Sequence, residues 1–320
     1  MSIEIIKPAD RTEWLAARKH DVTASDAACL LGIHPYKTAY ELWAEKTGLK
    51  ADSEDNEVFR RGRAMEFIAI DFLREDYPDW KITHSYNNRY WRDPDARMGA
   101  TPDAFVRIPG RKGQGIIQIK SASDYSVKNW IDPETRQVEP PLWVAVQAII
   151  EATMTGASYA MVALIVAGHG MTLHPPVEVP LKPELMQRLH GEVADFWRLT
   201  ESGSHPDIDW KRDGALLEQL YQPDGRVIDL SADNSLPALL DEKDDLAKQS
   251  TAIGKRQKEI KAELLAKMGL ADTDSKIDDT TTDVATIADG RWVTAKRVKR
   301  DGYEVKPTSF MDVRIKKAAA

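Results

Sequence analysis

The succession of hydrophobic patterns along the 320 residues predicts an α/β fold: a mixed central sheet flanked by helices, followed by a C-terminal helical and β-hairpin appendage. Three observations predict it. Helical periodicity fills the first quarter of the chain, strand-like segments follow from 81 to 120, and a helix, a buried strand and another helix come next. A turn-rich basic stretch, Pro109 to Gly113, separates two strand-like segments and reads as the bend of a hairpin. Beyond residue 201 the sequence becomes polar and then repeats apolar residues every seven positions.

In order, PADRTEWLAARKH (8–20) has Pro and acids at its start, Trp14, Leu15 and Ala17 within, and basic residues at its end, the charge order a helix dipole favours. DVTASDAACLLGIHPY reads as a turn into a second helix, capped by Thr23 or Ser25 and stopped by Gly32. TAYELWAEKTG (38–48) and Glu57 to Tyr77 are amphipathic helices. Residues 81–92 and 96–120 are strand-like, with turns at Asn87-Asn88 and Asp93-Pro94. Pro141 to Thr155 is helical and ends at Gly156, Tyr159 to Val166 reads as a buried strand, and Lys182 to Thr200 as a helix. The boundaries expected are a core over 1–205, a linker over 206–230 and an appendage over 231–320. In the appendage Leu239, Leu246, Ile253 and Ile260 form a stripe whose companion positions, Lys243, Ser250 and Gln257, are polar: a weak coiled-coil or helical-hairpin seam. Residues 291–317 carry nine Lys and Arg against three acids, and RWVTAKRVKR followed by Asp301-Gly302 reads as a basic hairpin. It either extends a nucleic-acid contact or pairs with the acidic stretch at 272–289.

The composition, 42% hydrophobic and 30% charged, is that of an ordinary soluble protein. No apolar run is long enough to span a bilayer, and MSIEIIKPADRTEW lacks the plan of a signal peptide. One cysteine, Cys29, excludes a disulfide framework and a cysteine-based zinc site and fits a reducing cytoplasm. Scattered histidines match no zinc motif, and no phosphate-cradling glycine loop suggests ATP or dinucleotide use. A net charge of -7 gives no overall sign of nucleic-acid binding, though an acidic exterior is compatible with a basic channel.

Chemistry concentrates in MGATPDAFVRIPGRKGQGIIQIK (98–120). Gln118 and Lys120, two apart on a strand, project from one face, and a hairpin would bring Asp103 to that face. A carboxylate, an amide oxygen and an ammonium could then share a pocket that binds a divalent metal and activates water. Glu66, inside the apolar helix segment RRGRAMEFIAI, is costly to bury unless it meets a cation; otherwise it lies on the polar side of its helix. Arg61, Arg63, Lys128 and Trp130 are basic and aromatic residues suited to phosphates and bases, or alternatively surface charge and core.

Several separate segments together resemble one family. EWLAARKHDVTAS carries a Trp, an Arg and Thr-Ala-Ser; RGRAMEF carries Gly-x(3)-Glu; MGATPDAFV carries Gly-x-x-Pro-Asp; QIK stands where Glu-x-Lys is usual; and PPLWVAVQAIIEATMTG supplies a helix with Gln and a terminal Thr-Gly. In this order, over roughly 12–167, they resemble the YqaJ-like viral recombinase (bacteriophage lambda exonuclease) family of the PD-(D/E)xK nuclease superfamily. The resemblance implies a PD-(D/E)xK restriction-endonuclease-like core and a metal-dependent 5'-to-3' exonuclease on linear double-stranded DNA, serving phage-type recombination by single-strand annealing. It implies Glu66, Asp103 and residue 118 as ligands of Mg2+ (or Mn2+), Lys120 as the residue that orients and deprotonates water, and Gln147 as its support. Arg18 and Ser25 resemble the pair that holds a 5'-terminal phosphate. A homotrimeric ring, a single-strand annealing partner and a bacterial cytoplasmic setting with a phage or prophage source are also implied. The sequence departs from the pattern at Gln118, an amide where an acid is usual, and at Ala145, where many relatives carry a second Gln. An amide oxygen can coordinate but lacks charge, so metal binding should weaken. Gln118 is thus a tolerated variant, an introduced inactivating change, or the mark of a disabled enzyme. The competing reading is a catalytically silent DNA-end-binding or assembly module, or a nuclease of different polarity.

Overall fold

The computed structural model describes residues 2–51, 56–85, 89–269, 282–296 and 298. They form two compact units, Met1–Gln222 and Pro223–Ala320.

The first unit is built on a mixed sheet containing β3 (Lys81–His84), β6 (Ala104–Arg107), β7 (Gly115–Ser123), β8 (Tyr159–Ala167), β9 (Met171–Leu173) and β10 (Val177–Val179). Along its path the order is β10-β8-β7-β6-β3, and β9 also pairs with β8. Strands β6 and β7 form the expected hairpin, with Ala104 opposite Ile117, while β7 and β8 run parallel over nine residue pairs. That parallel pair needs a crossover, which α4 (Leu142–Thr155) provides. Helix α4 stops at Gly156, whose φ of 67° is the left-handed cap that glycine adopts without Cβ strain. Both central strands are covered on their two faces, so β8 is an unbroken apolar run rather than an alternating one.

The two faces differ in partner. Ile116 and Ala122 of β7 pack into the larger core with Val144, Ala148 and Ile149 of α4 and with Phe196 and Trp197 of α5 (Pro183–Glu201). Ile117 and Ile119 face the other way, against Ala69, Ile70 and Leu73 of α3 (Glu57–Asp76). Asn56 caps α3 by accepting from the N–H groups of Val58 and Phe59, which sets where the helix begins. Helix α1 (Arg11–Arg18) begins at Asp10, which accepts from Glu13 N, while the Glu13 carboxylate accepts from Ala9 N.

A second sheet orders β1 (Glu4–Ile6), β4 (Tyr90–Asp93), β5 (Met98–Ala100) and β2 (Val22–Thr23), with β2 parallel to β5. Gly99 in β5 lies against the Tyr90 ring, and a Cβ there would fall 1.7 Å from the phenol oxygen. Tyr90 in turn donates to the buried Asp21, which also accepts from Arg92. Thus the glycine of MGATPD is a packing requirement.

Several sequence expectations are corrected. The helix expected after Asp21 is only a 3-10 turn, Ala27–Cys29, with no side-chain cap; the Thr23 and Ser25 hydroxyls bond Arg18 and each other instead. The compact unit continues past 205 to Gln222, because α6 (Gly214–Leu220) buries Leu216 against Tyr40 and Ala44 of α2 (Ala39–Lys46). The buried Asp213 accepts from Thr38 Oγ1 at 2.6 Å, so a segment that reads as polar linker is tied down by a side chain distant in sequence.

In the second unit α7 (Leu236–Met268) extends for 33 residues with none buried, and Leu239, Leu246, Ile253 and Ile260 lie exposed along it. Strands β11 (Thr282–Thr286) and β12 (Trp292–Lys296) form a hairpin around Asp289-Gly290. The first strand of the expected basic hairpin therefore pairs with part of the acidic stretch before it. The turns at Asn87-Asn88 and Asp301-Gly302 lie outside the described residues.

Candidate active site

Asp103 ends the approach to β6, one residue beyond the Ala104–Ile117 pair, which sets it level with Gln118 on the neighbouring strand. Its Oδ2 accepts from Ile119 N at 2.7 Å, locking the carboxylate onto β7. Alternation along β7 gives Gln118 and Lys120 a common face. Glu66 comes from α3, one turn before the Ala69 and Ile70 contacts that hold this helix on the sheet.

Electrostatics tie these groups together. Burial raises the Glu66 carboxyl well above its ordinary range, and the Asp103 charge raises it further against the opposing pull of Lys120 and Arg63. Burial also raises Asp103, partly offset by Lys120 and by the Ile119 N–H. Two carboxyl groups and one ammonium therefore share a poorly hydrated space, and each feels the others.

Lys120 is held from two sides. Its Nζ donates to Gln147 Oε1 at 2.9 Å and lies 5.3 Å from the centroid of the Trp143 ring. Gln147 Nε2 donates to Glu151 Oε1 at 2.8 Å, one helical turn further along α4. Glu151 is 1% exposed, and its second oxygen is buried without a hydrogen-bond partner. Burial and the nearby Asp103 push its carboxyl upward. Sequence reading missed Glu151 because its i+4 relation to Gln147 gains meaning only once Lys120 is placed; the polar interruptions in VAVQAIIEAT were the available signal.

Gln118 is 2% exposed, its Nε2 donates weakly to Ile119 O at 3.4 Å, and its Oε1 is buried with no partner. An orphaned amide oxygen on the face of Lys120 and level with Asp103 adds to the carboxylates a donor set of the hard-oxygen kind that Mg2+ takes. The residues present fit such a cation. Among the described residues there is no group of three or more His, Cys, Asp or Glu placed to hold a metal ion.

A second cluster adjoins the first. Arg18 Nη2 donates to Ser25 Oγ at 3.2 Å and to Thr23 Oγ1 at 3.3 Å, with its guanidinium 4.0 Å from the Trp14 ring centroid. Trp14 Nε1 lies 3.4 Å from Thr101 Oγ1, two residues before Asp103. Below, Asp26 binds Lys37 at 2.9 Å and accepts from Thr23 at 2.6 Å. Burial alone would raise the Asp26 carboxyl, yet Lys37, Lys46 and Arg18 hold it well below the usual range. This anion lies among the cations of the cluster and ties Lys37 to the Thr23 hydroxyl.

Of the remaining sequence candidates, Arg61 and Lys128 are exposed, and Arg63 is partly buried and acts on Glu66. Trp130 is a correction: at 7% exposure it packs in the larger core, so it is no base-stacking surface.

Comparison with known proteins agrees with the sequence reading. Residues 13–158 match the YqaJ-like viral recombinase domain. The chain is 27% identical over 232 residues to the uncharacterized protein YqaJ of Bacillus subtilis, spanning 70% of this chain and 68% of that protein. Among solved structures it is similar to an alkaline exonuclease from Laribacter hongkongensis, with 22% identity, 64% of this chain and 99% of that one covered, and a TM-score of 0.44. A putative exonuclease from Eubacterium rectale aligns at 11% identity over 71% of this chain and 98% of that one, with a TM-score of 0.40. Over residues 13–158, then, the chain is similar to the YqaJ-like viral recombinase domain.

Proposed function

We propose that the chain is a divalent-metal-dependent 5'-to-3' exonuclease that degrades linear double-stranded DNA from a 5'-phosphorylated end in phage-type recombination. The observation that carries this reading is the convergence of Glu66 of α3, Asp103 just before β6 and Lys120 of β7 in one electrostatically coupled space. Glu66, Asp103 and Gln118 Oε1 would hold Mg2+ or Mn2+, which when bound supplies positive charge for the phosphoryl oxygens and the leaving 3'-oxygen. Lys120, fixed by Gln147, orients the attacking water and, in its neutral amine form, accepts the water's proton as the nucleophile forms. Gln147 is a positioning residue, kept in its amide orientation by Glu151. Arg18 offers a planar fork of N–H donors, and the Ser25 hydroxyl adds a further donor for a terminal phosphate. The exposed stripe of α7 supports self-association, and a homotrimeric ring would place basic residues such as Arg61 and Lys128 toward enclosed DNA while the exterior stays acidic. A single-strand annealing protein is the partner this activity calls for.

The second reading is a silent DNA-end-binding module, favoured by the neutral amide at 118. One assay separates the two. The full chain, Gln118→Glu and Lys120→Ala are each incubated with linear duplexes carrying a 5'-phosphate or a 5'-hydroxyl, in Mg2+ and in Mn2+. Degradation by the native chain that prefers the 5'-phosphate and disappears in Lys120→Ala supports the exonuclease. Activity only in Gln118→Glu supports the silent module, and no degradation by any form overturns the exonuclease reading.

A further inference from the structure

Beside Lys120 stands an aromatic group that the proposed chemistry leaves unused. The Trp143 ring, 5.3 Å from Lys120 Nζ, meets His34 at 5.3 Å and Tyr36 at 6.2 Å between centroids, in both cases edge to face. His34 and Tyr36 are also edge to face, at 6.1 Å. The turn that carries them is built rather than loose. Tyr36 N donates to His34 Nδ1 at 3.2 Å, Pro35 fixes the backbone between them, and Arg212 Nη2 donates to His34 O at 2.8 Å. His34 feels the Lys120 charge, so the turn and the candidate catalytic lysine share one locality.

Core packing does not account for Tyr36, which is 79% exposed. These ring contacts leave most of the Tyr36 side chain open to solvent. A large exposed aromatic, packed against the Trp143 ring that itself contacts Lys120, has the form of a stacking platform. The Arg212 guanidinium against the same turn adds positive charge where a nucleotide backbone would pass.

We propose that Tyr36, braced by Trp143 and His34, stacks on the unpaired nucleobase of the terminal nucleotide as its phosphodiester enters the site. This inference rests on the nuclease reading and names the part of the substrate that the nuclease grips. Stacking accepts any base, as an enzyme that degrades DNA regardless of sequence requires.

The test uses the full chain with 5'-phosphorylated duplexes whose terminal nucleotide carries either a base or an abasic tetrahydrofuran analogue. The native chain should favour the base-bearing end by roughly 10-fold in kcat/KM for the first cleavage. Tyr36→Phe should keep that preference and Tyr36→Ala should lose it. A metal-free binding arm uses 2-aminopurine at the terminal position: its fluorescence should be quenched by the native chain and Tyr36→Phe, and unquenched by Tyr36→Ala. Equal preference and equal quenching in native and Tyr36→Ala proteins overturn the platform while leaving the nuclease intact. Loss of both in Tyr36→Phe also overturns it, since the hydroxyl rather than the ring would then be responsible. If no form cleaves or binds either duplex, the nuclease reading itself fails and the platform with it.

Discussion

Restoring an acid at position 118 tests the metal reading most directly. Gln118 stands level with Asp103 on an antiparallel neighbour, and side chains opposed in this way are separated by about 5 Å at Cβ. Two unit charges at about 5 Å in an effective dielectric of about 20 repel by roughly 3 kcal/mol. Gln118→Glu adds that repulsion to two carboxyl groups already raised by burial, Glu66 also by the Asp103 charge. Without metal the variant should lose up to about 3 kcal/mol, a fall in Tm of roughly 10 °C for a unit of this size; proton sharing among the three acids makes this an upper bound. A divalent cation reverses the sign, because each new carboxylate contact is attractive and twice as large as a contact between unit charges. The midpoint of a Mg2+ or Mn2+ titration should then fall by about 100-fold, the equivalent of about 3 kcal/mol. Calorimetric titration gives the midpoint and thermal unfolding with and without metal gives the stability. An unchanged midpoint together with an unchanged metal-free Tm would refute the placement of position 118 in the metal site.

Other perturbations have equally definite outcomes. Lys120→Ala should reduce kcat by about 100-fold or more while leaving the affinity for duplex ends in metal-free binding within a few-fold. Glu151→Leu leaves the Gln147 amide N–H unpartnered in the interior and should lower kcat without altering end binding, whereas Glu151→Gln, which keeps an acceptor, should retain most activity. Asp26→Asn removes the anion that holds Lys37 and should cost about 3 kcal/mol at neutral pH by denaturant unfolding. Because the folded-state pKa of Asp26 is depressed, its contribution is present above the unfolded-state value of about 4 and disappears as pH falls through the lower folded value. The gap between native and Asp26→Asn stabilities should therefore narrow in acid; a gap independent of pH would contradict the assignment. Leu246→Lys combined with Ile253→Lys should lower the solution mass of the full chain if the α7 stripe joins copies, and an unchanged mass would remove that role.

The sequence alone determined the elements whose cause is local. The charge order of α1, the end of α4 at Gly156, the seven-residue stripe of α7, the β6–β7 hairpin and the common face of Gln118 and Lys120 follow from residue spacing, turn chemistry and the two-residue period of a strand. Motif order pointed to the family. Tertiary structure decided what depends on neighbours distant in the chain. It drew α6 into the first unit through Asp213 and Leu216, reduced the segment after Asp21 to a 3-10 turn because Thr23 and Ser25 serve Arg18, and buried Trp130 in the core. It also supplied the contacts: Glu151 bonded to Gln147, Trp143 beside Lys120 with Tyr36 against its ring, and a buried amide oxygen at 118 without a partner. The reason is physical. A side chain's desolvation, charge field and hydrogen-bond partners are properties of the packed surroundings, so they exist only after the helices have closed on the sheet.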